Sequence, residues 1–272
     1  MNIIVCVKQV PDPEAPPASF KVDPAANKVV PPAGVAPVVS PFDEQAVEAA
    51  LRIKDKQKDT KIIILSLGDN LVRDVIKKPL SMGADELVLL EDPAYEEGDS
   101  WSTAYALSKA IEKIGSYDLI LCGRQAADWD AGQVGTGIAE FLGLPCVTVA
   151  RKIEAGDGKA NIERVTEDGY EVIEAALPCL VTVSNELGEP RYAALKGIMA
   201  AAKKKPMIWK PGSGDGDTIA VSADEIGVKG KVTKLEKLYQ PVKEAKCEII
   251  EGETPADAAV ALAQRLREAK VI

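Results

Sequence analysis

The chain has 272 residues, with 33 Lys+Arg against 42 Asp+Glu for a formal net charge of −9, and no histidine. At roughly 150 residues per domain, that length allows one large domain or two modest ones. The acidic balance suits nucleic-acid binding poorly, because phosphates need Lys and Arg to neutralise them. The lack of histidine removes Ser-His-Asp and Cys-His nucleophiles, His-ligated metals and the usual proton shuttle.

The opening MNIIVCVKQV is too short an apolar run for a signal segment or a span. No later stretch approaches the ~20 apolar residues a span requires, so a cytoplasmic protein is expected. Five cysteines without a C-x-x-C read as reduced thiols, and no metal or iron–sulfur spacing is present.

Ile3–Val7 is a short β-branched run, as expected of a strand buried on both faces. Residues 11–41 are Pro-rich and read as a surface excursion. A helix starts near Asp43, with Ser40 and Pro41 as start signals and Ala46, Val47, Ala50 and Leu51 as its inner stripe. Lys61–Leu67 is a second buried strand. The helix after Asn70 carries Leu71, Val72, Val75 and Ile76, and Pro79 predicts a kink or an early stop. Glu86–Leu90 is a strand, and Ser100 opens a helix with Ala104, Leu107, Ile111 and Ile114 on one face. Asp118–Cys122 is followed by the polar, Gly-containing loop GRQAADWDAGQVGTG and a helix through Ile138 and Phe141. Pro145–Val149 is the next strand, residues 159–176 form a hairpin around TEDG, and Leu180–Ser184 is one more buried run.

This alternation predicts an α/β fold: a doubly wound, Rossmann-like parallel sheet over residues 1–187, with an edge hairpin. Residues 188–272 are basic, Pro/Gly-punctuated and irregular. They read as an extended C-terminal arm without a core of its own, which needs another subunit's surface. Thr254 as N-cap, Pro255 at N1 and Asp257 at N3 open a terminal helix.

Two segments stand where an open parallel sheet binds ligands, beyond the carboxyl ends of its strands. Gly123 ends a strand, and Gly132, Gly135 and Gly137 open a helix whose free N–H groups suit a phosphate; Gln133 and Thr136 add donors. The order G-x-x-G-x-G departs from the dinucleotide fingerprint, and the same glycines also suit a plain strand-to-helix turn. Ser40-Pro41-Phe42-Asp43 suits either a plain helix cap or a helix start facing a nucleotide. Lys203–Lys205 reads as a solvated run. With no carboxylate pair or nucleophile–base pair, the chain reads as a binder of an adenine nucleotide.

Six ordered blocks then carry a resemblance: VCVKQVPD, SPFDEQAVEAAL, SMGAD, GRQAADWDAGQVGTG, EDGYEVIEAALPCLVTV and EPRYAALKGIMAAAKKK. Spread over nearly the whole chain, they resemble beta subunits of electron transfer flavoproteins. That resemblance implies an electron-carrier role in a heterodimer whose alpha subunit holds a redox-active FAD. It implies AMP in this subunit or, in electron-bifurcating members, a second FAD that meets NADH (NAD as redox partner). Carried over, it places the nucleotide against Cys6, Ser40, Pro41, Phe42, Asp43, Leu67, Gly123, Arg124, Gln125, Ala126, Asp128, Gln133, Val134, Gly135 and Thr136. Arg124 stands where AMP-binding members have Lys, which favours FAD. Ser40 stands where the family more often has Asn, and Trp129 replaces a small or acidic residue.

The resemblance also implies a partner loop of Arg191, Tyr192, Leu195, Ile198 and Met199 that grips an acyl-CoA dehydrogenase, with Leu195 as its anchor. The alternative from another class is a stand-alone adenine-nucleotide-binding stress-type protein with no redox role, which would have no use for the arm. An adenine-nucleotide hydrolase would carry a motif such as S-G-G-x-D, which is missing.

Overall fold

A computed structural model describes residues 1–241 and 247–272. The apolar runs become ten strands of one sheet: β1 Asn2–Cys6, β2 Lys61–Gly68, β3 Glu86–Glu91, β4 Leu119–Gly123, β5 Cys146–Gly156, β6 Lys159–Thr166, β7 Gly169–Ala176, β8 Cys179–Val183, β9 Met207–Gly212 and β10 Thr218–Ala220. Their order across the sheet is β7-β6-β5-β8-β4-β1-β2-β3-β9-β10. All neighbours are parallel except the antiparallel β5-β6-β7 ribbon. The strand order reverses around β1, which pairs β2 on one side and β4 on the other.

Alternate side chains of each central strand feed two cores. Ile3 and Val5 join Ile62, Ile64, Leu119 and Leu121 under helix α1, Pro41–Lys56. Ile4 and Cys6 join Ile63, Leu65, Ile120 and Cys122 under α2, Ser100–Ile114, and α3, Val134–Leu142. Burial on both faces explains why these strands are apolar throughout rather than alternating. The helix expected after Asn70 is two short turns, Arg73–Ile76 and Lys78–Met82, broken at Lys77 just ahead of Pro79.

The sequence after Gly188 departs most from expectation. It holds helix α4, Leu195–Lys203, and then β9 and β10, which extend the sheet beyond β3. Trp209, Ile219, Val221 and Ile226 are buried in the same core as Ile4 and Leu65. The boundary expected at 187/188 therefore falls between strands of one sheet. Lys113 of α2 fixes this addition: its ammonium donates to the carbonyls of Gly214 at 3.0 Å and Thr218 at 2.6 Å and lies 4.9 Å from the Trp209 ring centre.

Asp99 then clamps the chain further on. One carboxylate oxygen caps α2 at Ser102, and the other accepts from the Val232 and Thr233 N–H groups, each at 2.9 Å. The terminal helix α5, Pro255–Glu268, has the capping box of Thr254 and Asp257 and buries no side chain among the described residues. Residues 242–246 of the arm lie outside the described residues.

Candidate functional site

The strand order reverses at β1, the point where open α/β sheets bind ligands in a crevice beyond the carboxyl ends of their strands, and α1 starts beside the ends of β1 and β4. Asp43, on the first turn of α1, is buried between the two strand ends. Its carboxylate accepts the Lys8 N–H at 2.8 Å and the Gly123 N–H at 3.0 Å. A side chain at Gly123 would put its Cβ 2.5 Å from Asp43 Oδ1 and 2.8 Å from the Phe42 backbone, so only glycine lets α1 come this close. Burial pushes the Asp43 carboxyl up to about 7, against the opposing pull of the two N–H donors.

Ser40 is the N-cap of α1 but makes no side-chain cap; its buried Oγ instead accepts the Ala127 N–H of the loop at 3.4 Å. Pro41 is N1 and exposed. The Phe42 ring lies 4.9 Å beneath the Arg124 guanidinium, and the Arg124 N–H donates to the Val183 carbonyl at 2.8 Å. Cys6 and Cys122 end β1 and β4 side by side on the α2/α3 face, both buried. Leu67, near the end of β2, is half-buried against the same core.

The loop after β4 is internally braced. Gln125 Nε2 donates to Asp130 Oδ1 at 2.8 Å, the Asp130 N–H donates to the Ala126 carbonyl, and Lys8 Nζ sits 2.6 Å from Asp128 Oδ2. Gly132 takes φ +65°, turning the chain into α3. That helix begins at Val134 rather than near Gly132, with Gln133 as N-cap; the Gln133 carbonyl accepts from Thr136 Oγ1 at 2.9 Å. Val134 packs on the core and Thr136 is exposed. Gly135 differs from the expected ligand-facing role. A Cβ there would lie 2.9 Å from the Thr182 methyl and 3.4 Å from Cys122 Cβ, so this glycine seats α3 on the sheet.

The two helix N-termini at the crevice are not equivalent. The α1 start carries Asp43 and Glu44, which already complement its dipole; the first turn of α3 has no acidic residue and no side-chain cap. Arg124 Nε and Ser66 Oγ are buried without a hydrogen-bond partner among the described residues. Buried donors are normally satisfied, so these atoms, at the ends of β4 and β2, fit a polar ligand in the crevice. The uncapped α3 start and Arg124 are groups of the kind that suit an anionic, polar ligand. The structure thus gathers the predicted residues of β1, α1 and the 123–136 loop at one edge. It adds Lys8, Ser66 and Cys122, which sequence reasoning missed. A lysine directly after the Ile3–Val7 run was the signal for Lys8.

The predicted partner residues stand elsewhere, along α1 and α4. Arg191 is not free for a partner. Its guanidinium is held by Glu48 at 2.8 Å and Asp55 at 2.7 Å. Burial raises the Glu48 pKa, but Arg191 and Arg52 outweigh this and hold the carboxyl below its usual range. Tyr192 is fully exposed, and Leu195, Ile198 and Met199 show 74 %, 50 % and 59 % of their surface on one face of α4. Gly197 packs against the Ser81 carbonyl, so this helix is seated on the domain with its apolar face outward. The loop expected over 191–199 is thus non-helical through Ala194 and helical from Leu195 onward.

Residues 28–212 match the family model described as electron transfer flavoprotein domain. The chain belongs to the electron transfer flavoprotein family. Its relatives place it among the beta-type subunits. It is 42 % identical over 250 residues to the electron transfer flavoprotein subunit beta of Megasphaera elsdenii, covering 89 % of this chain and 88 % of that one. It is 38 % identical over 272 residues to subunit CarD of the caffeyl-CoA reductase-Etf complex of Acetobacterium woodii, covering all of both chains. To the acryloyl-CoA reductase electron transfer subunit gamma of Anaerotignum propionicum it is 34 % identical over 255 residues, or 93 % of each chain. Membership in this family makes the chain part of an electron-carrying flavoprotein, and among the described residues no helix is long and apolar enough to cross a membrane.

Proposed function

We propose that this chain is the nucleotide-binding electron-carrier subunit of a cytoplasmic heterodimer, and that its own crevice holds FAD. The observation that carries this reading is the junction of β1, β4 and α1, where Asp43 ties both strand ends together and a free helix start, α3, faces them. When bound, the flavin supplies the one- and two-electron chemistry. Among this chain's residues, the crevice positions the adenine nucleotide, the α3 start and Arg124 compensate phosphate charge, and the packed strand ends exclude water. AMP in the same crevice is the competing occupant.

The partners in this proposal are an alpha subunit holding the redox-active FAD, NADH as electron donor, and a flavoenzyme acting on CoA thioesters, an acyl-CoA dehydrogenase or reductase. The names of two relatives, subunits of caffeyl-CoA and acryloyl-CoA reductase systems, favour that class. The apolar face of α4 with Leu195, Ile198 and Met199 suits a small, transient contact with it. The decisive experiment is a visible spectrum and flavin-to-protein ratio of the co-expressed heterodimer. Two flavins per heterodimer support FAD in this chain. One flavin with released AMP assigns the crevice to AMP, and one flavin with no adenine nucleotide rejects the site.

A further inference from the structure

Phosphate binding by the crevice poses a charge problem. The four segments that surround it, residues 6–10, 40–45, 67–70 and 123–136, carry five acids, Asp43, Glu44, Asp69, Asp128 and Asp130, and only two cations, Lys8 and Arg124. Arg124 stands 4.9 Å over the Phe42 ring with its backbone tied to Val183, and its buried Nε has no partner among the described residues. Lys8 is built differently. Its backbone is fixed at both ends, with the N–H donated to buried Asp43 at 2.8 Å and the carbonyl accepting the Ser40 N–H at 2.9 Å. Its side chain is a flexible stem ending in three rotatable donors, and the ammonium lies 2.6 Å from Asp128 Oδ2 with 44 % of the side chain exposed. The root of Lys8 is therefore part of the crevice floor, while its head is held, among the described residues, by a carboxylate of the loop that would receive a phosphate.

We infer that Lys8 is a phosphate-binding residue of this crevice and that Asp128 is its exchangeable counter-ion, displaced from the ammonium by the nucleotide phosphate. The inference rests on the adenine-nucleotide reading above and deepens it. A carboxylate and a phosphate beside one ammonium repel each other, so a phosphate gains Lys8 only as Asp128 gives it up. Asp128 also bonds the Trp129 N–H through its other oxygen at 3.0 Å, so releasing Lys8 need not unfold the loop. In this arrangement the ion pair sets selectivity: it penalises every anion that enters and rewards only one able to reach Lys8.

The test compares AMP with adenosine, which lacks the phosphate, by calorimetric titration of the heterodimer after removal of its bound nucleotide. Lys8→Met is expected to weaken AMP about ten-fold and leave adenosine unchanged. Asp128→Asn is expected to tighten AMP several-fold, again with adenosine unchanged, because the competitor for Lys8 is gone. In Lys8→Met, AMP binding should also become less sensitive to added salt. Equal loss of AMP and adenosine in Lys8→Met, or AMP binding unaltered by it, overturns the inference. So does weaker AMP binding in Asp128→Asn, which would place that carboxylate on the nucleoside instead. A wild-type heterodimer that binds neither AMP nor FAD defeats the underlying nucleotide reading, a separate outcome from failure of the Lys8 exchange.

Discussion

Asp43 does two jobs that a sequence pattern shows as one. Read alone, S-P-F-D is a helix start; in the fold, the same aspartate knots the ends of β1 and β4 through the Lys8 and Gly123 N–H groups. With its folded pKa pushed up to about 7 from an ordinary 3.8, the folded chain keeps this proton where the unfolded chain has lost it. Asp43 therefore makes the fold less stable as pH rises from about 4 to about 7, by an amount on the order of a few kcal/mol. Asp43→Asn should flatten that slope in melting temperatures recorded across the interval; an unchanged slope assigns the pH dependence to other groups. Leu195 is the opposite case, a residue whose value on the proposed partner reading lies outside its own chain. It is mostly exposed, so Leu195→Ala should leave thermal stability and flavin content unchanged. Burying a leucine in a partner contributes roughly 1.5–3 kcal/mol, so electron transfer with the CoA-thioester flavoenzyme should fall about ten-fold or more. Steady-state reduction assays with flavin content measured in parallel decide between this and a packing role. Lys8 escaped sequence reading for a physical reason: a lysine after a strand is usually solvated, and only the crossing of three segments gives this one fixed neighbours.

Elements differ in how far their own sequence announces them. The hairpin expected over 159–176 is β6 and β7, because Glu167-Asp168 makes a two-residue turn between alternating runs, with Thr166 and Gly169 paired across it. The β1, β2, β3, β4 and β8 runs were legible to within a residue or two, since burial on both faces leaves an unbroken apolar signature. β9 and β10 were not. MIWKPG contains Pro211 and ends in glycine, TIA is only three residues, and what makes them strands is the edge of β3 and the grip of Lys113. Gly135 shows the same limit within a helix. A glycine at a helix start reads as an approach for a ligand, yet this one faces Thr182 and Cys122. Gly135→Val should therefore lift α3 from the sheet and cost about 1–3 kcal/mol through overpacking. Melting temperature and nucleotide content should drop together; loss of nucleotide at full stability would restore the ligand-facing role.

For the whole molecule, the sheet ends at Ala220 while the grip on the arm continues past it. Trp209, Ile219, Val221 and Ile226 share the domain core and Asp99 pins Val232 and Thr233, so the chain is self-supporting well past Gly188. In the isolated subunit, the first proteolytic cuts should fall after Thr233, and adding the alpha subunit should suppress them. Early cleavage between Gly188 and Lys205 would show that the added strands need the partner as well. β5 changes company midway along its length. Cys146, Val147 and Ala150 lie beside β8, Val149 breaks the ladder with φ 60°, and Ala150–Gly156 turn to β6. The two halves close chain loops of very different kinds. The β5-β6-β7 ribbon joins near neighbours, β1 must find β4 across more than half the sheet's chain length, and β3 waits for Met207 before its outer edge is covered. Local pairings close first because short loops lose the least chain entropy on closing. Refolding should thus begin at the ribbon, offer the first half of β5 as a template for β8, and finish at β9. Pulse-labelled amide exchange should protect Ile162 and Ile173 earliest and Ile208 last, and simultaneous protection would mean that the sheet condenses as one unit.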